Sequence, residues 1–460
     1  MRARLRRGLR AAALGLAALA LAGCAAGPRS TPPSRAAAAP VQLPPVKVFT
    51  RSNPQPPQRA NADIARDFLD LHFQLEGGSP LPVFTRFETP ITLRVTGHPP
   101  PGFSRDLAAL LARLEREAGI AVRRTTSPGA SITVELVPRS EIRRALPNAA
   151  CFVVPNAASL AEYRRARRHP RSSWSLLRER RRLAIFLPSD ASPQEARDCL
   201  HEELAQAIGP LNDLYRLPDS VFNDDNIHVV LTGFDMLVLR ATYAPDLHTG
   251  MTREQVAARL PAILARLNPA GERRPPQFLP ETAPAWADAF EEALGAKSSL
   301  RERSRAAAEA AAIAGNLGWQ DHRRAHSHYL LGRMLQFQDP ALALRHFQSA
   351  LAYLGSGPET AMHRARVSVP LAAYAIAHGD GASALTLLEP AARLAEAHEN
   401  AALLATLLML QAEALELEGE AVAARRVRLD SLGWARYGFG PDWAVAARVR
   451  EIASLRPPSR

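Results

Sequence analysis

Residues 192–213 read SPQEARDCLHEELAQAIGPLND, and this stretch decides the fold of the first half of the chain. Ser192, a proline in the first turn and Glu195 together form the pattern of a capping box, which predicts that a helix begins here. Because Gly209 permits a sharp turn and a proline follows it, we expect the helix to end near Ile208. Residues four apart on a helix share one face, so the glutamates and the glutamine in its second half are expected to lie side by side.

The segments before this helix alternate between helix and strand patterns. Apolar residues recur at helical spacing in two earlier segments, and short apolar runs of strand length lie between them and the capped helix. This order of elements predicts an α+β domain over residues 61–265. The predicted strands are 91–95, 132–137, 151–154 and 183–187, and the predicted helices besides 192–208 contain residues 64–73 and 107–118.

The sequence after a proline-rich linker, predicted at residues 266–285, contains only helical patterns separated by short turns. Two helices share the spacing A-x-x-x-[FL]-x-x-A, at residues 343–350 and 384–391, and a weaker copy starts at Ala423. These copies resemble tetratricopeptide repeats, although their period is about 40 residues rather than about 34. They predict an all-α helical-repeat domain over residues 286–460 that binds an envelope protein or peptide on a concave surface. A helical bundle without a ligand is the alternative.

The first 60 residues predict an exported, lipid-anchored chain. Residues 1–10 carry five arginines and no acid, an apolar run follows, and residues 21–24 read LAGC. Residues 1–23 therefore have the composition of an export signal. The LAGC motif resembles the lipobox of bacterial lipoproteins, which implies cleavage before Cys24 and attachment of membrane lipid to its thiol. A secretory signal that ends in cysteine by chance is the alternative. Residues 24–60 are rich in alanine and proline and predict an extended tether.

Net charge and cysteine content limit the cellular compartment and the classes of partner that we predict. The formal net charge is +12, but five arginines leave with the signal and the cell envelope holds no genomic DNA, so we predict no nucleic-acid partner. We expect the chain to be anchored on the inner or the outer membrane of a bacterial envelope, facing the periplasm or the exterior. In that oxidising compartment Cys151 and Cys199 are expected to form a disulfide, with two buried free thiols as the alternative.

The capped helix and the loop after it carry the run C-x-x-E-E-x-x-Q-x-x-G-x-x-N-D, followed by S-x-F-N-D-D. Its members are Cys199, Glu202, Glu203, Gln206, Gly209, Asn212, Asp213, Ser220, Phe222, Asn223, Asp224 and Asp225. The run resembles the hallmark of an uncharacterised bacterial family, domain-of-unknown-function family 2927, and the similarity spans about residues 61–265. This family name implies no activity.

The same run resembles, more weakly, the zinc-binding helix of metzincin peptidases, H-E-x-x-H-x-x-G-x-x-H. The resemblance gives Glu203 the role of general base and places residues 220–222 where metzincins have their Met-turn. All three histidine ligands are replaced, by Glu202, Gln206 and Asn212. Because amide oxygens are weak zinc ligands, this degenerate set suits calcium or no metal better than zinc.

Three interpretations of these polar residues stay open at this point. They hydrogen-bond one another and fix the loop, or they line a cleft that binds a peptide or glycan, or Glu203 works with Asp213 or Asp224 in metal-free or calcium-assisted hydrolysis. We predict binding or scaffolding rather than turnover, with an envelope hydrolase as the alternative. The residues assigned to the cleft or to its structure are Asp213, Ser220, Asn223, Asp224 and Asp225.

Two other features receive structural predictions. His201 is expected to be a surface or capping histidine rather than a ligand, because Ala205 occupies the place of the second histidine. The arginine-rich segment 164–182 predicts a solvated loop between two strands, with contact to anionic lipid headgroups as the alternative.

Overall fold

The described residues of the computed structural model are 43–457, apart from 51, 53, 224, 226, 296 and 297. Residues from Pro44 onward form one compact unit. The predicted signal, Cys24 and the first part of the tether lie outside the described residues, and so does Asp224. No helix in the described part of the chain is both long enough and apolar enough to cross a bilayer.

The first part of the chain is built on a five-stranded mixed sheet. Its strands are β1 (Ile91–Gly97), β2 (Val122–Arg124), β3 (Ile132–Val137), β4 (Phe152–Pro155) and β5 (Leu183–Pro188). The strand order is β2-β1-β3-β5-β4, and only β4, at one edge, runs antiparallel to its neighbour. β5 is buried along its whole length, as its continuous apolar sequence predicts for a strand with both faces covered. The four predicted strands are confirmed, whereas β2, with three residues, was not predicted.

In the described part of the chain, eight α-helices accompany this sheet. Six of them share one apolar core with it, whereas the third and fourth pack in a second, smaller cluster with β4 and β5. They are α1 (Asn61–Phe73), α2 (Phe103–Arg113), α3 (Arg139–Ala145), α4 (Leu160–Ala166), α5 (Pro193–Ile208), α6 (Gly233–Thr242), α7 (Arg253–Ala257) and α8 (Leu260–Leu267). The predicted α+β class of this part is therefore confirmed.

Helix α5 begins and ends as predicted from its sequence. The Ser192 hydroxyl accepts the Glu195 backbone N–H at 3.2 Å, which satisfies one of the free donors of the first turn. The Glu195 carboxylate pairs instead with Arg139 at 2.5 Å, so only half of the predicted capping box forms. The predicted disulfide between Cys151 and Cys199 is present and links α5 to the residue before β4.

The second part of the chain is all-α, as predicted. Its helices are α9 (Pro284–Leu294), α10 (Leu300–Asn316), α11 (His322–Leu335), α12 (Pro340–Leu354), α13 (Ala361–Ala377), α14 (Gly381–Ala397), α15 (Ala401–Leu417), α16 (Ala421–Phe439) and α17 (Asp442–Ala453). Consecutive helices pack against each other. Gly332 is required for this packing, because a Cβ there would lie 2.7 Å from Phe347 Cε1. In α16 Ala424 is buried whereas Ala423 is only partly buried, so the alanine predicted to start the weak copy is not the one at the helix contact.

The α+β part and the helical part share a polar interface. Arg197 of α5 pairs with Glu399, which precedes α15, at 3.2 Å. Gln194 Nε2 donates to Asn400 Oδ1 at 3.2 Å, and the Tyr437 hydroxyl of α16 donates to Asp106 at 2.8 Å. The beginning of α5 is therefore held by the helical part as well as by its own cap.

The predicted linker and the second half of the predicted tether also pack on the fold, in contrast to the expectation of free chain. Gln277 and Phe278 donate backbone N–H groups to the Asp63 carboxylate of α1, at 2.9 and 2.7 Å. In the tether, Phe49 stacks on Trp434 of α16 with 4.5 Å between ring centroids. These segments are ordered because their aromatic and amide groups find partners that proline and alanine content does not reveal.

Candidate functional site

Four carboxyl groups lie at the second half of α5 and in segments next to it, and we call them the acid cluster: Glu76, Glu202, Glu203 and Asp213. Glu203 is 4% exposed, and its Oε2 atom receives no hydrogen bond from any residue that the structure describes. Burial raises the pKa of Glu203 well above its ordinary value, and the negative charges of Glu202 and Glu76 raise it further. A buried carboxyl with this environment is a common feature of functional sites.

Glu76 is a member of the cluster that the sequence did not predict. It lies in a tight turn after α1, where the Leu75 N–H donates to Ser79 and Gly78 adopts a φ of +75°. Although the residue is at the surface, its carboxyl turns inward to hydrogen bonds with Gln206 and Asp213, and burial raises its pKa. A hydrogen bond between two carboxyl groups requires a proton between them. The sequence signal that could have indicated this turn is the Gly77-Gly78 pair.

Glu291 extends the acid cluster at its rim. This residue belongs to α9 of the helical part, and its charge raises the pKa of Glu76. The cluster therefore combines carboxyl groups from both parts of the chain.

Arg180 fixes the end of α5 beneath the cluster. Its guanidinium donates to the backbone carbonyls of Gln206, Ala207 and Gly209 at 2.7, 2.8 and 2.5 Å. These are carbonyl groups that the end of a helix leaves without an intrahelical donor. Arg180 is 2% exposed, so the prediction that segment 164–182 is a solvated loop is wrong at this residue.

The glycine after α5 is needed for close packing rather than for a left-handed turn. Gly209 has a φ of −145°, and a Cβ there would lie 2.7 Å from Leu239 Cδ2 of α6. The Tyr243 hydroxyl, just after α6, donates to the Ile208 carbonyl at 3.0 Å. Helix α6 therefore presses directly on the end of α5.

The positions that correspond to zinc ligands do not form a set that fits zinc. Gln206 hydrogen-bonds Glu76, and Asn212 donates its amide to the Asp70 carbonyl at 3.0 Å. Both side chains are amides, and strong zinc sites use imidazole, thiolate or carboxylate. The carboxyl groups of the acid cluster are instead suited to a hard cation or to an organic cation.

The polar residues of the S-x-F-N-D-D run have partners outside the acid cluster. The Ser220 hydroxyl donates to Asp235 at 2.5 Å, and Asn223 donates to the Leu217 carbonyl. Asp235 is fully buried, and burial raises its pKa to about 6. Asp225 lies on the other side of the loop, 3.9 Å from His326 of α11. Of the predicted site residues, the structure thus brings together Glu202, Glu203, Gln206 and Asp213, but not Ser220, Asn223 or Asp225.

His201 is not a surface residue, and that prediction is wrong. It is 4% exposed, and its Nδ1 accepts the Leu231 backbone N–H at 3.1 Å. Burial and two nearby arginines lower its pKa well below the ordinary value. His201 is therefore a neutral hydrogen-bond acceptor that positions the chain before α6.

A separate cavity of about 240 Å³ lies beside α1 and the predicted linker, and arginines contribute much of its lining. Arg216 pairs with Asp67 and Asp70 at 2.8 and 2.5 Å, and Arg59 pairs with Asp67 at 3.0 Å. Because these guanidinium groups are already matched by carboxylates, the cavity is a weak candidate for anion binding.

Comparison with known proteins identifies a family for the part of the chain that carries the acid cluster. No curated protein and no solved structure matches the chain. Residues 61–262, which hold the sheet and α5, match the family described as protein of unknown function (DUF2927).

Proposed function

We propose that this chain is a lipid-anchored protein of the bacterial envelope whose acid cluster binds a positively charged group without catalysing its turnover. The observation that carries the proposal is the buried Glu203 Oε2 atom. It accepts no hydrogen bond from the described residues, and the carboxyl groups of Glu202 and Glu76 lie near it. A buried carboxylate without a partner is costly, and a bound cation offsets that cost.

The donor set supports binding over metal-dependent peptidase chemistry. The proposed kinship with metzincin peptidases rests on the spacing from Glu202 to Asn212, where no imidazole occurs. One of the corresponding amides, Asn212, is already engaged by the Asp70 carbonyl. We therefore infer a degenerate site that keeps the shape of a peptidase helix and uses its acids for recognition.

The helical part is proposed to act as a scaffold. Its kinship with tetratricopeptide repeats rests on small residues such as Gly332 and Ala350 at the contacts between helices. Several of its helices contact the α+β part, and Arg366 of α13 donates to the Asp225 carbonyl at 3.1 Å. This arrangement supports a role in holding the loop after α5. Partners are then expected to bind those surfaces of the helical part that face away from this loop.

Binding at the acid cluster is tested with two cationic probes, CaCl₂ and a hexa-arginine peptide, measured by calorimetry on the full chain. We expect one probe to bind with release of a proton, because the pKa of Glu203 is raised and the cation displaces that proton. Binding should be at least tenfold weaker in Glu203→Gln and unchanged in Glu281→Gln, whose side chain is exposed. If each probe binds Glu203→Gln as tightly as it binds Glu281→Gln, the proposal is contradicted.

Glu203→Gln is also expected to stabilise the chain at neutral pH. Because the folded-state pKa of Glu203 is raised, the carboxyl destabilises the fold above that pKa, and the penalty disappears as the pH falls toward the unfolded-state value. The variant should unfold at a temperature higher by roughly 2–4 °C at pH 8, the shift of a ~1 kcal/mol change in a domain of this size. The gain should shrink at pH 5 in thermal melts. A lower melting temperature at pH 8 would contradict the assigned environment.

The membrane anchor is tested by Cys24→Ser. If the lipobox resemblance holds, the unmodified chain fractionates with membranes and incorporates labelled fatty acid, whereas the variant does neither. Equal membrane association of both forms, without labelling, overturns this part of the proposal.

A hydrolase is the second candidate, and the raised pKa of Glu203 favours it. General acids and bases in enzymes are often carboxyl groups whose pKa is raised by burial. Incubation with envelope peptides and peptidoglycan fragments, followed by mass spectrometry, would reveal products that Glu203→Gln fails to form. Identical products from both forms exclude Glu203 as the catalytic group.

A further inference from the structure

A second group of ligand-type side chains lies between the α+β part and the helical part, away from the acid cluster. It consists of Asp225 from the loop before α6, His326 of α11 and His363 of α13. All three are buried, with exposed fractions of 4%, 7% and 1%. We propose that these three residues, the interface triad, bind a zinc ion that clamps the two parts of the chain together.

The ligand atoms of the interface triad are close enough to share one ion. They all lie within 4.8 Å of one another. His326 Nε2 is 2.7 Å from His363 Nδ1 and 3.9 Å from Asp225 Oδ2. Ligands on a tetrahedral zinc ion stand about 3.3 Å apart, given bonds of about 2.0–2.1 Å. Relative to that spacing, the two histidines would move apart by about 0.6 Å, and His326 and Asp225 would move together by about 0.6 Å.

His363 is already oriented as a metal ligand. Its Nε2 lies 2.7 Å from the Pro218 carbonyl, which can only accept, so Nε2 carries the proton and donates. The lone pair of Nδ1 therefore faces the centre of the triad. Metal-binding histidines usually donate their second ring N–H to a carbonyl in this way, which fixes the tautomer.

The tautomers of the two histidines permit binding. The Pro218 carbonyl holds the proton of His363 on Nε2, so the Nδ1 atom of that ring carries a lone pair for an ion. His326 now donates its Nε2 proton to His363, and ligation moves that proton to Nδ1 of the same ring. The resulting set of two imidazoles and one carboxylate is typical of zinc and leaves a fourth position.

The charges that face the triad come from several elements. Asp225 supplies a negative charge. Arg366 of α13 supplies a positive charge, which contributes to the low pKa of His326. His322 of α11 and His228 of the loop also face His363 and lower its pKa. Because the Asp225 carboxylate is itself a ligand, we expect its charge to dominate the interaction with a divalent cation.

The interface triad is tested on the full chain, stripped with a chelator and titrated with ZnCl₂. We expect one zinc ion per chain by elemental analysis after gel filtration, and a higher unfolding temperature on zinc addition. In Glu203→Gln, in which the acid cluster is impaired, CaCl₂ should give no such shift, because calcium prefers six to eight oxygen ligands. Cobalt substitution should give the visible absorption bands of a tetrahedral site, a readout that does not depend on stability.

Variants separate this site from others in the chain. Asp225→Asn keeps the side-chain acceptor for the Ile227 N–H and should weaken zinc binding at least about tenfold, as should His363→Gln. His346→Gln removes a histidine from a different pair and should bind zinc normally, and Glu203→Gln should do the same. Failure of the parent chain to bind zinc in this titration overturns the proposal. Unchanged binding in both triad variants overturns it as well.

Discussion

Lowering the pH from 7.5 to 5 is expected to destabilise the metal-free chain by several kcal/mol, because buried histidines at the interface cannot accept protons while folded. His322 donates Nε2–H to the Tyr215 carbonyl at 2.7 Å, and burial lowers its pKa to about 4. In the unfolded chain the same ring titrates near pH 6.5. His322 alone should therefore cost about 2 kcal/mol of folding free energy at pH 5.

The sign follows from the direction of the shifts. A histidine with a lowered folded-state pKa supports the fold fully above the unfolded-state pKa and loses that support as the pH falls toward the folded-state value. His228 behaves like His322, with a pKa lowered to about 4. In the pair formed by His326 and His363, a proton added to His363 Nδ1 would set two N–H groups against each other at 2.7 Å.

Other groups modify this response but do not reverse it. Four acids have raised pKa values and gain stability on acidification: Glu76, Asp198, Glu203 and Asp235. Nine histidines have lowered pKa values and lose it: His72, His201, His228, His322, His326, His328, His346, His363 and His398. Because the histidines outnumber the acids, the net effect of acidification is expected to be destabilising, and a loss of several kcal/mol is a large part of a typical folding free energy of about 5–15 kcal/mol.

Chemical denaturation at pH 7.5 and pH 5 measures this effect. His322→Gln keeps an N–H donor for Tyr215 but does not titrate, so it should lose about 2 kcal/mol less than the parent chain between the two pH values. The exposed His98 provides a matched control, and His98→Gln should behave as the parent chain does. Equal stability of the parent chain at both pH values contradicts the prediction.

Replacing Arg180 with methionine is expected to cost roughly 3–5 kcal/mol, because buried carbonyl groups left without donors cost about 1–3 kcal/mol each. Three such carbonyls, together with Thr85 Oγ1, depend on this guanidinium. Burial lowers the pKa of Arg180 to about 10, which leaves it charged at neutral pH. The relief from removing a buried charge is therefore smaller than the loss of its hydrogen bonds.

Denaturation midpoints of three variants distinguish this role from a general effect of charge. Arg180→Lys retains the charge but not the fork of donors, so it should lie between Arg180→Met and the parent chain. Arg181→Ala removes the neighbouring arginine, which is exposed, and should leave the midpoint unchanged. A small loss in Arg180→Met, equal to that in Arg181→Ala, would show that the end of α5 is held by other contacts.

The features that the sequence predicted well are those encoded over short distances. The limits of α5 follow from Ser192 and Gly209, and β3 and β5 follow from short apolar runs. The disulfide was predicted from the number of cysteines and the expected compartment. Each of these inferences requires only local pattern or composition.

The features that were missed depend on contacts between distant segments. Arg180 looks like any other member of an arginine-rich run until the end of α5 packs on it. His326 and Asp225 are about a hundred residues apart in the sequence. The first lies in a helix pattern and the second in a loop, so no sequence motif links them. Glu76 joins the acid cluster only because a tight turn after α1 brings it back toward Gln206. Periodicity and spacing carry no information about such encounters.

The carbonyl groups of Tyr215 and Pro218 lie within the family segment, yet their donors, His322 and His363, lie far beyond its end. A fragment cut at residue 262 would leave the Tyr215 oxygen without His322 and the Pro218 oxygen with His228 alone. The contacts that complete this loop therefore extend well beyond the segment that matches the family.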